Sequence, residues 1–310
     1  MKPLDWILVA LRFIQFGGAM VLFGSSLFLL YGKLLPQDAK PFNLNWTRAL
    51  LIQASLLLLV ATPLQFILQT ANLAGSLSGV FEAETLKAAL FEMAFGKSSL
   101  ARTVLAFAAF LLAIFLPANR RLFAMTAVLG ALICASFAWM GHGAATEGAP
   151  GWVHLSGDIA HSLAAAGWLG ALAVFWISTR EDAPASVTPH NLAISLASFS
   201  GAGTFIVAII VASGLINSAF LAGWNVPKAL SIPYGQLLAL KLVLFVAMLW
   251  LAARNRFRHT PMLAHAVDGE ADLATSLTEL RRSIRLETLS GVAILILVAW
   301  LGTLAPVTAQ

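Results

Sequence analysis

Residues 192–222 read LAISLASFSGAGTFIVAIIVASGLINSAFLA, and no side chain in that stretch is ionisable. A helix needs about 20 mainly apolar residues to cross the hydrocarbon core of a bilayer. This segment is long enough to cross as a helix and too long to be a buried strand. Residues 4–31 carry the same signal, broken only by Asp5 and Arg12. Working outward by hydropathy and window length, eight spans are predicted: 4–31, 47–72, 100–117, 120–142, 152–178, 192–222, 235–254 and 284–305. Composition agrees. Of 310 residues, 59% are hydrophobic and 11% charged, against roughly 45–50% and 25% in soluble proteins. Mean hydropathy is +0.85. A water-soluble globule could not bury so much apolar side chain, and a disordered chain needs the opposite composition. A transmembrane β-barrel is excluded, because its strands alternate apolar and polar over about ten residues. The expected fold is all-α: a polytopic transmembrane helical bundle forming a single integral membrane domain over residues 1–310. The first apolar run is too long for a signal peptide and lacks a clear cleavage site.

Basic residues set the expected orientation. Of the 19 Lys and Arg, twelve fall on the side holding the loops between spans one and two, three and four, five and six, and seven and eight. Positive-inside bias makes that side cytoplasmic, which leaves both termini periplasmic. Trp6, Trp46, Trp152, Trp224 and Trp300 fall near span ends, as interfacial aromatics do. The pI of about 9.7 reflects these short basic loops, so no nucleic-acid partner is expected. Residues 81–95 form an amphipathic stretch suited to the outer interface. Asp268-Gly269-Glu270 reads as a helix start, with Leu273, Leu277, Leu280 and Ile284 following at helical spacing into the last span. No Walker or GxGxxG loop is present, which argues against an ATP-driven pump.

Ionisable groups inside spans are costly, so each is a functional candidate. The richest region joins spans four and five. Trp139-Met140-Gly141-His142-Gly143 is followed, after a short loop, by Trp152-Val153-His154-Leu155-Ser156-Gly157-Asp158-Ile159-Ala160-His161. His154, Asp158 and His161 fall within roughly 60° of one helix face at 100° per residue, and Ala165 and Trp168 continue the stripe. His142 ends the preceding span and can approach His154. Imidazole and carboxylate together make a transition-metal site plausible. Haem ligation by two of the histidines, and a purely structural polar network, remain open on spacing alone. Met140 adds a soft thioether that favours Cu(I), though its spacing from His142 turns it aside. Cys134, the single cysteine, is either a transit ligand for Cu(I) or a packing residue. Arg12, Lys241 and Glu287 are the other embedded charges. A buried charge pair is the simpler reading for Arg12 and Lys241, with a fixed cation near Asp158 keeping it ionised. Arg285 or Arg282 is placed to pair with Glu287. Gln15, Gln53, Gln65, Asn217 and Gln236 suit hydrogen bonds between helices. Gly17-Gly18, Gly167/Gly170, Gly201/Gly203 and Ser213-Gly214 suit close helix contacts. His190, His259 and His265 read as solvated loop residues.

At these residues the chain resembles the copper resistance protein D (CopD) family over nearly its whole length. The likeness rests on Arg12-Phe13 and Gly24-Ser25-Ser26-Leu27-Phe28, Phe95-Gly96 with Arg102, Gly141-His142-Gly143, and His161 with Gly167-Trp168-Leu169-Gly170. It continues through Ser213-Gly214 and Asn217, Tyr234-Gly235-Gln236-Leu237-Leu238, Lys241-Leu242, Asn255-Arg256, Pro261, and Arg281 to Glu287. The resemblance implies a bacterial inner-membrane protein of copper homeostasis and resistance, with a copper ion, Cu(I) or Cu(II), as its metal. It also implies a separate CopC-like periplasmic copper-binding protein as partner, and copper uptake from periplasm to cytoplasm. His142 and His161 are the motif candidates. His154 and Asp158 come from spacing. Members often carry a histidine near Gln15, and glutamine is a poor soft-metal ligand. The expectation is therefore a non-enzymatic copper-binding membrane protein. The competing expectations are a membrane redox protein dependent on haem b or copper, and a copper-binding assembly or sensor component that transports nothing.

Overall fold

The computed structural model describes residues 3–35, 44–140, 148–223 and 226–309, and every regular element among them is helical. Eight helices are long and apolar enough to cross a membrane: Asp5–Tyr31, Asn45–Ala74, Ala94–Phe115, Arg120–Trp139, Gly148–Ser178, Pro189–Leu221, Pro233–Val267 and Leu273–Leu301. They are numbered spans 1 to 8. Trp6 of span 1 packs on Trp300 of span 8 with ring centroids 5.3 Å apart. Both termini therefore lie at one end of the bundle, called here the terminal end.

Three span limits differ from hydropathy by more than four residues. Span 3 starts at Ala94, span 7 runs on to Val267, and span 8 starts at Leu273. Apolarity ends where basic residues enter, but Arg and Lys are good helix formers, so the helices continue past the apolar segment. In span 7 the continuation passes through a π-helical stretch, Asn255–His259. The start expected at Asp268–Glu270 lies instead at Asp272, whose side chain accepts from the Thr275 N–H at 2.9 Å. Asn119 caps span 4, accepting from the N–H groups of Arg121 and Leu122. Capping satisfies amides that the first turn leaves without partners. The amphipathic stretch forms a short helix, Ala83–Phe91, before span 3.

The spans pack as two rings of four. Span 1 packs on spans 2 and 4, which both adjoin span 3; span 5 packs on spans 6 and 8, which flank span 7. Spans 1 and 5 join the rings, supported by contacts between spans 1 and 8 and between spans 4 and 5. Leu22, Leu51, Leu58, Leu122 and Ile133 fill the first ring, and Phe175, Leu172, Leu196, Leu280 and Ile284 the second. Spans 6 and 7 are the outermost, with only 11% of their apolar windows buried, and they meet mainly through the segment beyond Asn255.

The seam between rings is built on absent side chains. Span 1 opens into a π-helical turn at Val21–Ser25. A Cβ on Gly24 would stand 2.9 Å from Gly170 Cα and strike the Ala166 carbonyl, while a Cβ on Gly130 of span 4 would stand 2.7 Å from the backbone of Phe23. Ser25 Oγ donates to the Gly170 carbonyl at 3.0 Å. Small residues allow such backbone approach, and that packing is what holds helices together in lipid. Gly201 departs from expectation: nothing lies within 4 Å of a Cβ placed there.

Candidate metal and ion site

Span 5 carries the expected stripe and turns it toward span 6. His154 is 2% exposed and lies flat on Phe220, centroids 4.6 Å apart and planes 4° apart. One turn deeper, Asp158 accepts from Asn217 Nδ2 at 3.3 Å. Next, His161 Nδ1 stands 3.1 Å from Ser213 Oγ. That hydroxyl donates to the Ile209 carbonyl at 2.5 Å, which uses its single hydrogen, so toward His161 it accepts. Nδ1 of His161 then carries the ring hydrogen, and Nε2 keeps its lone pair. A hydroxyl or carbonyl acceptor that orients the ring in this way is the usual support for a metal-ligating histidine. Lys241 of span 7 acts electrostatically on both Asp158 and His161, and Tyr234 lies within the field of Asp158.

His154 and His161 are two helical turns apart, roughly 10.5 Å along the axis. Each ring is engaged locally, one by Phe220 and one by Ser213. Among the described residues no three of His, Cys, Asp and Glu gather to hold a metal ion. The stripe is a file of separate polar stations. His154 and His161 also cannot bracket a haem between them, since both project from one helix. His142 lies outside the described residues, as do Gly141, Gly143 and Trp224.

Met140 is committed elsewhere: its Sδ accepts from Arg102 Nη2 at 2.7 Å. Cys134 is 1% exposed within the apolar cluster of the first ring. Arg102, of span 3, is fully buried. Its Nη1 donates to Gln15 Oε1 at 2.8 Å, its Nε donates to Ser136 Oγ at 3.0 Å, and its guanidinium lies 4.1 Å over the Phe137 ring. Gln15 also accepts from Thr62 and donates to Gln65 and to the Ala61 carbonyl. A glutamine amide offers both donors and an acceptor, so at Gln15 it ties three spans together around one cation. Sequence reasoning used Arg102 only as a motif residue. The signal for its burial was the presence of Gln15 and Gln65 at matching depths in neighbouring spans.

The charge-pair expectations are partly overturned. Arg12 makes no ion pair among the described residues; its Nε is buried without a hydrogen-bond partner, and its guanidinium packs against Gly302. Glu287, 3% exposed, bonds neither Arg282 nor Arg285. It accepts from Trp168 Nε1 at 2.8 Å and Asn255 Nδ2 at 2.6 Å. Both arginines follow the helix surface outward, where their charge stays hydrated. Gln53 is exposed, and Gln236 bonds only the nearby Leu230 carbonyl. His190 and His265 are exposed as expected, but His259 is 1% exposed, carried inside by the prolongation of span 7.

The chain matches the family described as copper resistance protein D-like, N-terminal domain, over residues 3–152, and the family described as copper resistance protein D over residues 193–301. It is 34% identical over 307 residues to copper resistance protein D of Pseudomonas syringae pv. tomato, covering 97% of each chain. It is 29% identical over 310 residues to inner membrane protein YebZ of Escherichia coli strain K12, covering 99% of this chain and 100% of that one. No solved structure matches significantly.

Proposed function

We propose that this chain, which belongs to the copper resistance protein D family, binds copper in the terminal half of span 5 and carries it across the bacterial inner membrane to the cytoplasm. The observation that carries this reading is the 3.1 Å contact of His161 Nδ1 with Ser213 Oγ, a hydroxyl that also stands 2.5 Å from the Ile209 carbonyl, an arrangement that suits a ring hydrogen on Nδ1 and a lone pair on Nε2 inside a membrane helix. His154 and Asp158 lead to it from the terminal end, and His142, which lies outside the described residues, enters through the family motif alone. Conduction needs sites that bind and also release, so a file of weak sites suits transport better than one tight cage. The positive-inside tally makes the terminal end periplasmic. There a separate CopC-like protein would deliver the ion. The name of the YebZ relative supports the inner membrane as the location. The chain acts as a carrier, with copper as cargo, and not as an enzyme.

The test is an anaerobic Cu(I) titration of the purified full chain against a chromophoric chelator, followed by uptake into vesicles. His161→Ala should abolish binding at this station. Ser213→Ala keeps the imidazole but removes its hydrogen-bond partner, and should weaken affinity about 10–100-fold, the usual effect of losing the group that orients a ligating histidine. Wild-type affinity in both variants, and in His142→Ala, would remove the site.

A further inference from the structure

A cavity of about 200 Å³ opens between spans 7 and 8, at the end away from the termini. Four polar atoms converge on it with no hydrogen-bond partner among the described residues: His259 Nδ1 and Nε2, Ser283 Oγ and Glu279 Oε2. His259 is 1% exposed and Ser283 5%. Buried polar groups are nearly always satisfied, so this concentration marks a place built to meet something polar. Glu279 Oε2 stands 3.7 Å from His259 Nδ1 and 3.8 Å from Arg258 Nη2, beyond hydrogen-bond length. Arg254 and Arg282 also line the space.

The charges facing the cavity decide the ligand. Two lining guanidinium groups, Arg254 and Arg282, stand against one carboxylate, and Arg258 stands 3.8 Å from that same carboxylate. A cation would meet more positive than negative charge, with one already engaged carboxylate to hold it. An oxyanion would find donors on several sides, from the arginines, the Ser283 hydroxyl and a His259 ring N–H. We propose that this cavity binds a phosphate group. The surroundings favour one borne by an anionic phospholipid. Leu251 and Leu286 line the cavity, Leu286 is 46% exposed, and Trp250, 61% exposed, lies beneath Arg254 at 5.6 Å. The guanidinium cluster thus sits at the level where the apolar surface of spans 7 and 8 ends. That is the depth of lipid headgroups, and basic pockets between spans suit them.

The full chain, purified in mild detergent and stripped of lipid, is titrated in native mass spectrometry with phosphatidylglycerol and with phosphatidylcholine, whose phosphate is masked by its own choline. Inorganic phosphate is titrated in parallel by ³¹P line broadening. At least about tenfold preference for phosphatidylglycerol assigns a lipid headgroup, a difference one charge-assisted contact can supply. Saturable broadening of inorganic phosphate without lipid preference assigns the free anion. In either arm Arg282→Gln should weaken binding about tenfold with melting unchanged, since this side chain is exposed. Ser283→Ala, which removes an unbonded hydroxyl, should weaken it severalfold with melting unchanged. No preference for phosphatidylglycerol together with no phosphate binding overturns the proposal. So does binding indifferent to both substitutions.

Discussion

Gly170→Ala tests the seam between the two rings. A Cβ at position 170 falls onto the backbone of Gly24 and Ser25 in span 1. Carbon atoms pack at about 3.5–4.0 Å, so spans 1 and 5 must part by roughly an ångström to admit it. Both obstacles are backbone, and no rotamer change relieves them. Overpacking of this kind costs about 1–3 kcal/mol. Parting the helices also breaks the Ser25–Gly170 hydrogen bond, worth about 1 kcal/mol. The helical preference of Ala over Gly returns about 1 kcal/mol. The net expectation is about 1–3 kcal/mol of destabilisation. Gly201→Ala makes the same chemical change where nothing lies within 4 Å, so only the gain of about 1 kcal/mol remains. Unfolding of the two variants in mixed detergent micelles, followed by circular dichroism against rising denaturing detergent, should move the midpoints in opposite directions. Equal shifts of the same sign would refute the close approach of spans 1 and 5.

Arg102→Lys keeps the charge but gives up the planar fork that reaches Gln15, Ser136 and Met140 together. It should cost about 2–4 kcal/mol in the same unfolding assay, because buried partners are left unsatisfied. The hydrogen bonds from Thr275 hold the Asp272 carboxyl below its ordinary value of 3.8. A depressed carboxyl pKa stabilises above that ordinary value and ceases to do so as pH falls through the folded one. The protection of the Thr275 amide from hydrogen exchange, relative to its intrinsic rate at each pH, should therefore fall only below about pH 4, and Asp272→Asn should flatten that dependence. Cys134, 1% exposed, should resist maleimide in native membranes and react after unfolding; rapid native labelling would open the thiol to a transit role.

Much of the bundle was legible because the bilayer imposes one rule on every span: satisfy the backbone internally and face lipid with apolar side chains. That rule finds the spans but not their ends. Hydropathy stops at Arg254, whereas the helix continues through Asn255–His259 and brings His259 inside. The stripe of His154, Asp158 and His161 was legible because it depends only on helix periodicity within one span. The partners of Arg102, Arg12 and Glu287 depend on which spans are neighbours. Gln15 could be seen to suit an interhelical bond, but that it would bind a guanidinium from span 3 followed only from the closing of the first ring. The same holds for glycine. Gly170 and Gly201 look alike in sequence, and one lies at the central seam while the other faces outward.

The span 5 stripe does not end at His161. Trp168 lies one heptad further along the same face, and its indole N–H reaches Glu287, which in turn holds Asn255 at the π-helical turn of span 7. Between His161 and Trp168 the stripe face of the helix offers only Ala164 and Ala165, with no ligand atom on that face over roughly 10 Å of rise. Beyond that gap a cavity of about 230 Å³ opens beside Trp168, Asn255 and Glu287. It lies between spans 6 and 7, which meet mainly through the segment beyond Asn255. On the transport reading, copper cannot cross the gap along a static file. The step from His161 toward Glu287 has to come from movement of spans 6 and 7 against span 5. The sites for that movement are in place: spans 6 and 7 are the least buried, and the Asn255 turn interrupts regular α-helix at the level of Glu287. A disulfide or short crosslink joining spans 6 and 7 near the cavity should then abolish uptake while leaving Cu(I) binding at His161 intact. Uptake that persists with the spans locked would mean that copper follows another route.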